Sequence, residues 1–285
     1  MKRFVEIVTQ SIQIVTKKHI TLTMRLHLLV SYLALVSKRF LSRFGIVDIK
    51  TAKFLGYKIE VGLFSDFYWT FVEIFVNEDY YFETDNTSPY IIDCGGNIGM
   101  ATLYFKWLYP KSRIDIFEIE PKNIFLLRNN IDNNKLVDIN IIQKAVSRET
   151  GKIQLFGGRR AGTISKTLID EQIKKDNTYA DKEVFVDAIK LSEHITKTVD
   201  FLKMDIEGAE SGVFQDLEES GELEKVEKTT IEFHRFSSNE NRLSVILSAL
   251  EKYDFDVVFP HNFPNLRSIR RSYYNYMIRA GKRHW

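Results

Sequence analysis

The chain has 285 residues, of which 44% are apolar, so it is long enough to bury a full hydrophobic core. A single cysteine, Cys94, excludes a disulfide framework and a cysteine-rich zinc site, and fits a reducing cytoplasm. The net charge of +2 is uneven, because residues 1–50 carry nine Lys and Arg against two acids and 257–285 carry six and no acid. Basic ends favour an anionic partner such as phosphate, an anionic lipid surface or an acidic glycan, or they are simply solvated.

Lysines and arginines lie among apolar positions over the N-terminal residues 4–43, a pattern that predicts an amphipathic helix. Such a helix either lies on a membrane surface or packs as a cap on the domain. The longest apolar run near the start, 28–36, is too short to span a bilayer, and no secretory signal is found. We therefore divide the chain into a basic helical extension, 1–50, and a folded domain, 51–285. We expect a cytoplasmic protein, with peripheral membrane association through residues 1–43 as the alternative to a cap.

The domain begins with a predicted hairpin at 51–61 and an aromatic-rich helix at 65–82 that helps to close a ligand pocket. From residue 90, strands and helices alternate, which is typical of a parallel sheet with helices on both faces. The predicted strands are 90–93, 113–118, 138–142, 151–156, 183–188, 199–205, 229–234, 255–259 and 274–279, with 143–147 closing the third, and the main helices are 99–109, 122–132, 210–217 and 243–253. The basic stretch after 156, with Arg159 and Arg160, is interpreted as a substrate loop or a mobile insertion.

A glycine-rich bend follows the first strand of this sheet and reads Asp93-Cys-Gly-Gly-Asn-Ile-Gly99. Gly95, Gly96 and Gly99 permit a sharp turn or a close approach to a ligand, and the following helix points its N-terminus at the bend. The next strand ends at Glu118, where an acid can take both hydroxyls of a ribose. The alternative is that Glu118 is a solvated loop acid.

Four polar residues are predicted at the carboxyl ends of separate strands, where open parallel sheets bind their ligands. These are Asp93, Glu118, Asp205 and His234, and we expect them to converge on one crevice. Asp205 and His234 are the candidate general bases, with Glu207 and Lys203 close to them in the sequence.

Asp205, Glu207 and His234 also offer oxygen and nitrogen ligands of the kind that divalent metals use. No compact ligand spacing in the sequence supports a metal site, so we predict none.

Three motifs together resemble the FkbM family of S-adenosylmethionine-dependent methyltransferases. They are the bend at 93–99, Phe117-Glu-Ile-Glu-Pro121, and Asp200-Phe-Leu-Lys-Met-Asp-Ile-Glu-Gly-Ala-Glu210, of which the last is the most specific. The resemblance implies a Rossmann-like class I methyltransferase fold, with a seven-stranded, mostly parallel sheet, an antiparallel final strand and helices on both faces. It also implies S-adenosyl-L-methionine as methyl donor and a hydroxyl acceptor on a sugar, glycan or secondary metabolite.

The resemblance also assigns roles to residues of the cofactor site. The glycine bend, Gly95, Gly96 and Gly99 with Asp93, would contact the methionine part of the cofactor. Asn97 would add a polar contact, Glu118 would hold the ribose, and Ala145 would lie near the adenine.

Other functions compete with an O-methyltransferase. A nicotinamide oxidoreductase would need a G-x-G-x-x-G bend, which this chain lacks. A non-catalytic module with the same fold would bind the cofactor without transferring a methyl group. A nucleic-acid methyltransferase is disfavoured because the fourth strand ends in Met204-Asp-Ile-Glu207 and not in an Asn-Pro-Pro-Tyr type of sequence.

Overall fold

The structure is a computed structural model that describes residues 2–42, 49–160, 163–167, 183–236, 241–260 and 273–283. Its α-helices are α1 (Lys2–Val15), α2 (Leu22–Ser42), α3 (Phe64–Phe71), α4 (Met100–Leu108), α5 (Pro121–Asn133), α6 (Glu210–Ser220) and α7 (Leu243–Lys252). Its strands are β1 (Thr51–Phe54), β2 (Tyr57–Glu60), β3 (Tyr90–Cys94), β4 (Arg113–Phe117), β5 (Ile139–Ile142), β6 (Ala145–Ser147), β7 (Gly151–Arg160), β8 (Thr163–Thr167), β9 (Glu183–Lys190), β10 (Phe201–Met204), β11 (Lys228–Phe236), β12 (Phe255–Val258) and β13 (Tyr273–Lys282).

The central sheet has seven strands in the order β12-β13-β11-β10-β3-β4-β5. The five strands from β11 to β5 pair in parallel, whereas β13 is antiparallel to both β11 and β12. The predicted fold class, an α/β fold with a mostly parallel seven-stranded sheet and an antiparallel final strand, is therefore confirmed. The strand order reverses between β3 and β10, and such a switch point opens a crevice at the carboxyl ends of the strands.

Two apolar clusters cover the two faces of this sheet because successive strand residues point to opposite sides. On β3, Ile91 belongs to the cluster that includes α4 and the aromatic segment before β3, whereas Ile92 belongs to the cluster under α6 and α7. The hairpin of α1 and α2 packs on the first cluster through Ile14, Leu28 and Tyr32, which are fully buried. The N-terminal helices are thereby fixed to the side of the sheet that carries α4.

Three predicted segments differ from the structure. The strand predicted at 138–142 is β5, but residues 143–147, which we predict to close it, contain a separate strand, because β6 pairs with β9 in a four-stranded sheet of order β6-β9-β7-β8. The helix predicted at 65–82 is shorter, because α3 continues as one π-helical turn, Val72–Val76, and the chain then leaves the helix. The single amphipathic stretch at 4–43 is broken into α1 and α2.

The stretch interpreted as a loop or insertion is partly regular. Residues up to Arg160 extend β7, which pairs antiparallel with β8. Residues 168–182 lie outside the described part of the chain. The partition of the chain into 1–50 and 51–285 stays a prediction.

Candidate active site

A cavity of about 880 Å³ opens at the switch point between β3 and β10. Its walls come from the glycine bend at 95–98, from Lys203 and Asp205 at the end of β10, from the segment 62–80, and from β13. The volume lies in the upper part of the usual range for small-molecule sites, about 300–1,000 Å³. The segment 62–80 thus forms part of the cavity wall.

A buried ion pair lies below the cavity floor. Lys203 Nζ is 2.9 Å from Asp93 Oδ1, and both side chains are almost fully buried. The same ammonium donates a hydrogen bond of 2.6 Å to the carbonyl oxygen of Gly95. Burial alone would lower the pKa of Lys203, but the Asp93 and Asp205 carboxylates outweigh it and raise that pKa. Lys203 is therefore a fixed cation that ties β10 to the bend, and it is not suited to act as a base.

Two glycines of the bend are required by close packing. A Cβ on Gly95, which has a φ of +90°, would lie 1.9 Å from the carbonyl oxygen of Asp205. A Cβ on Gly96 would lie 2.1 Å from Ile116 Cγ2. Because the two glycines also line the cavity, the missing side chains let the backbone itself form the wall.

Glu118 fastens the bend to the end of β4. Its Oε2 accepts a hydrogen bond of 2.7 Å from the backbone N–H of Asn97, and its Oε1 accepts bonds from the N–H groups of Ile119 and Glu120. Burial nevertheless raises the pKa of Glu118. A carboxylate offers about four acceptor positions, so Oε2 keeps one for a ligand hydroxyl whereas Oε1 is already used twice. That Glu118 binds ribose hydroxyls stays a prediction, and Oε2 is the carboxylate oxygen with an acceptor position left for one.

His234 sits among carboxylates at the end of β11. Its Nδ1 is 2.9 Å from Glu210 Oε1, and its Nε2 is 3.8 Å from both Asp205 Oδ1 and Glu207 Oε2. Burial alone would lower the pKa of His234, but Glu210 above all, with Glu207 and Asp205, raises it to about 10. The imidazole therefore carries a positive charge at neutral pH and is not free to accept a proton.

Asp205 combines access to the cavity with contacts to the groups around it. Its carboxylate is 3.8 Å from Lys203 Nζ and from His234 Nε2, and it accepts a hydrogen bond of 3.5 Å from the Tyr80 hydroxyl. About a quarter of the side chain is exposed, since its relative accessibility is 28%. Of the four predicted catalytic residues, Asp205 is the carboxylate that faces the cavity.

Several functional candidates were missed at the sequence level. Glu232 lines the cavity, lies 3.6 Å from His234 Nε2, and has a pKa raised to about 8 by burial and by Asp205. It precedes His234 by two residues on one strand, so a period of two could have found it. Burial raises the pKa of two further acids in the cavity wall, Glu73 to about 7 and Asp79 to about 6.

The predicted site residues are thus distributed in two layers. Gly95, Gly96, Asn97, Lys203 and Asp205 line the cavity directly. Behind that wall, Asp93, Glu118, Glu207 and His234 lie next to residues that do.

Two predicted cofactor residues lie outside both layers. Gly99 caps the N-terminus of α4 at a φ of +92°. Ala145 is buried at the start of β6, beyond the cavity wall. Their roles stay predictions.

The fold brings together three side chains that could bind a metal ion, although they do not have a metal-binding spacing in the sequence. One ligand atom each from Asp205, Glu207 and His234 lies within 4.8 Å of the others. That the protein binds no metal therefore stays a prediction. It was based on the spacing of these residues in the sequence, which does not reflect how close they are in the fold.

A parallel sheet with a glycine bend at its switch point and an acid at the end of the neighbouring strand defines a Rossmann-like fold, the class in which ligands bind outside the carboxyl ends of the strands. A family model described as the methyltransferase FkbM domain matches residues 93–257, which is more than half of the chain. The chain belongs to the FkbM methyltransferase domain family, as the three motifs indicate.

Similar proteins carry methyltransferase names. Methyltransferase 1 of Beauveria bassiana (strain ARSEF 2860) is 30% identical over 163 residues, covering 52% of this chain and 66% of that protein. Methyltransferase sdnD of Sordaria araneosa is 27% identical over 174 residues, covering 52% and 67%. The 2-O-methyltransferase NoeI of Sinorhizobium fredii (strain NBRC 101917 / NGR234) is 24% identical over 193 residues, covering 62% and 76%. The chain thus spans just under two thirds of the first of these relatives.

Among solved structures, methyltransferase FkbM from Methylobacillus flagellatus KT aligns with a TM-score of 0.46 at 16% identity. The alignment covers 70% of this chain and 44% of that one.

Proposed function

We propose that the protein is an S-adenosylmethionine-dependent O-methyltransferase that acts on a hydroxyl of a sugar, glycan or secondary metabolite. The observation that carries the proposal is the crevice itself: the glycine bend and Asp205 line one cavity, and the Glu118 carboxylate holds the bend from behind through the Asn97 N–H. The family and the name of a 2-O-methyltransferase relative support the choice of an oxygen acceptor.

The residues fit an adenosyl cofactor in two respects. The bend at 95–97 presents backbone to the cavity, and this path depends on Gly95 and Gly96, since a Cβ on either would clash with neighbouring protein atoms. Glu118 keeps one acceptor position on Oε2 beside the Asn97 N–H, which suits a ribose hydroxyl. In this arrangement Gly95, Gly96 and Asn97 would hold the methionine part and Glu118 the ribose. S-adenosylmethionine, when bound, supplies a methyl group on a sulfonium.

The remaining chemistry belongs to this chain. The residues must align an acceptor oxygen with the methyl group and accept the hydroxyl proton. Alignment contributes up to about 7–11 kcal/mol in well-oriented systems, whereas a general base adds about 10²–10⁴-fold. Since Lys203 and His234 are held as cations by Asp93 and Glu210, Asp205 is the group that we assign to accept or orient that proton.

Asp205→Asn tests this assignment. The amide keeps the shape of the side chain but cannot take a proton, so turnover should fall by about 10²–10⁴-fold, with little change in the Kd for S-adenosylmethionine. Turnover is measured by mass spectrometry of oligosaccharides and hydroxylated metabolites incubated with labelled cofactor, and Kd by calorimetry. Asp187→Asn, at an exposed position on β9, is the matched control and should leave both quantities unchanged.

The two measurements separate the competing functions. Wild-type turnover in Asp205→Asn would remove Asp205 from the proton-accepting role. Cofactor binding by the wild-type protein without methylation of any acceptor would favour the non-catalytic module. Tight binding of a reduced nicotinamide dinucleotide in place of S-adenosylmethionine would favour the oxidoreductase.

A further inference from the structure

Helices α1 and α2 concentrate the exposed apolar side chains of the molecule. Among the side chains that the structure describes, seventeen large apolar ones are exposed, and eleven of these lie on the two helices, at 40% to 71% exposure. They are Phe4, Val5, Val8, Ile12 and Val15 on α1, and Leu22, Leu26, Val30, Leu33, Phe40 and Leu41 on α2. Such a concentration marks an interaction surface, whereas single exposed apolar residues are ordinary.

The exposed residues form one stripe on each helix. At about 100° per residue, the five positions on α1 fall within a sector of about 100°, and so do the six on α2. We call these the outer stripes. The residues that pack on the domain, Ile14 on α1 and Leu28 and Tyr32 on α2, lie outside these sectors. Each helix therefore has two apolar faces, one that fixes it to the domain and one that faces outward.

The charge of this region is suited to an anionic surface. Residues 1–42 contain one acid, Glu6, against seven Lys and Arg. Lys17 is buried in an ion pair with Glu78 at 2.7 Å, so it is part of the packing. Arg3 and Lys18 are exposed, and Lys38 is partly exposed near the end of α2. Basic side chains beside an exposed apolar stripe are the pattern of helices that lie in the headgroup region of anionic bilayers.

We propose that the outer stripes of α1 and α2 dock on an anionic lipid bilayer, with the apolar side chains in the headgroup region and the basic side chains on the lipid phosphates. Among the described residues, no helix is long and apolar enough to cross a bilayer, so the helices lie along the surface. Gln13 of α1 also lines the cavity, so the docked hairpin and the candidate active site share a helix. The alternative occupant is a second copy of the chain, which the test below distinguishes.

The test is co-sedimentation of the full-length protein, without cofactor, with vesicles of phosphatidylcholine alone or mixed with phosphatidylglycerol. We expect binding to the mixed vesicles that decreases with added salt. Replacing Val8, Ile12, Leu26 and Val30 by serine should lower the partition coefficient at least about tenfold, because buried apolar area drives such binding. Phe125→Ser with Val137→Ser is the control, since these side chains are 62% and 65% exposed but belong to α5 and to the segment before β5 and not to the two helices.

A charge variant keeps the proposal testable if the serine variant fails to fold. Lys18→Glu with Lys38→Glu should weaken binding to the phosphatidylglycerol vesicles and leave the weak binding to phosphatidylcholine unchanged. The proposal would be overturned if the wild-type protein did not co-sediment with the mixed vesicles, or if the variants bound them as tightly as the wild type. If light scattering showed a wild-type dimer and a monomeric serine variant, and no vesicle binding were seen, the outer stripes would instead be the contact between two copies of the chain.

Discussion

The crevice and the N-terminal helices depart from ordinary burial in opposite directions. In the crevice, charged side chains are almost fully enclosed: Lys203 is 3% exposed, Asp93 is not exposed, and Glu210 is not exposed. On α1 and α2, apolar side chains such as Phe4, 71% exposed, face outward. Both arrangements cost free energy, since buried charges lose hydration and exposed apolar surface orders water.

The difference between the regions lies in what offsets that cost. In the crevice the compensation is internal, because each buried cation has a carboxylate partner within 2.9 Å. On the outer stripes the apolar side chains keep 40% to 71% of their surface exposed, and the bilayer proposed above would supply the compensation. Changes in the crevice should therefore alter stability and cofactor binding, whereas changes on the outer stripes should alter association and leave the fold intact.

The largest effect is expected when a buried cation is removed. Lys203→Met should lower the free energy of unfolding by about 3–5 kcal/mol, the usual result of leaving one member of a buried pair without its partner. Urea denaturation measures the change. The double variant Lys203→Met with Asp93→Asn should recover a large part of it, because the uncompensated carboxylate is also removed.

A double variant as unstable as Lys203→Met alone would show that Lys203 stabilises the protein mainly through Gly95, to whose carbonyl oxygen it donates, and not through Asp93. In that case the bend, and not the charge pair, is the unit that the cation supports.

A smaller, pH-dependent effect is expected at His234. The pKa of this histidine is raised to about 10 in the folded protein from its ordinary value of 6.5. Its stabilising contribution should thus be fully present below about pH 6.5 and should be lost as the pH rises through about 10. His234→Gln should cost about 1.5–3 kcal/mol at pH 6, the range for hydrogen bonds to charged groups, and less at pH 10.

The measurement is urea denaturation of the wild type and of His234→Gln across this pH range. The matched control is His194→Gln, whose imidazole is paired with Asp115 at 2.7 Å but is 22% exposed and does not line the cavity. A difference between wild type and His234→Gln that does not change with pH would show that the pKa of His234 is not raised, so that the imidazole is neutral above about pH 6.5, and would return His234 to the candidate bases.

The two regions also differ in how far the sequence could predict them. The strand ends could be located, because apolar runs before Asp93 and Glu118 and the motif at 200–210 identify a parallel sheet and its switch point. What the sequence could not provide is the pairing of charges across elements. Glu210 is adjacent to the predicted site in the motif, yet its contact with His234 joins α6 to β11 and depends on the packed fold.

Elsewhere, periodicity located apolar residues without locating their partners. Apolar residues recur at 145–146 after only two polar residues beyond Ile142, but a turn closed by the Lys144 N–H and the Ile142 carbonyl oxygen ends β5, and Ala145 begins a strand of another sheet. On α1, the same 3.6-residue pattern contains both the buried Ile14 and the exposed Ile12. Composition alone cannot show which of two apolar faces is covered.

The smallest effect is expected at Glu118 and concerns the cofactor alone. Glu118→Gln keeps one oxygen as an acceptor but replaces the other by an amide that cannot accept from the Asn97 N–H and hold a ribose hydroxyl. We expect the Kd for S-adenosylmethionine to rise about tenfold, which corresponds to about 1.4 kcal/mol.

Calorimetry measures the Kd, and Glu120→Gln, at a buried acid two residues along, is the control that should bind nearly as the wild type does. Weaker binding in Glu120→Gln with wild-type affinity in Glu118→Gln would move the ribose contact to Glu120. Since Glu118 also anchors three backbone N–H groups, the affinities are compared at a temperature at which thermal unfolding shows each variant to be fully folded.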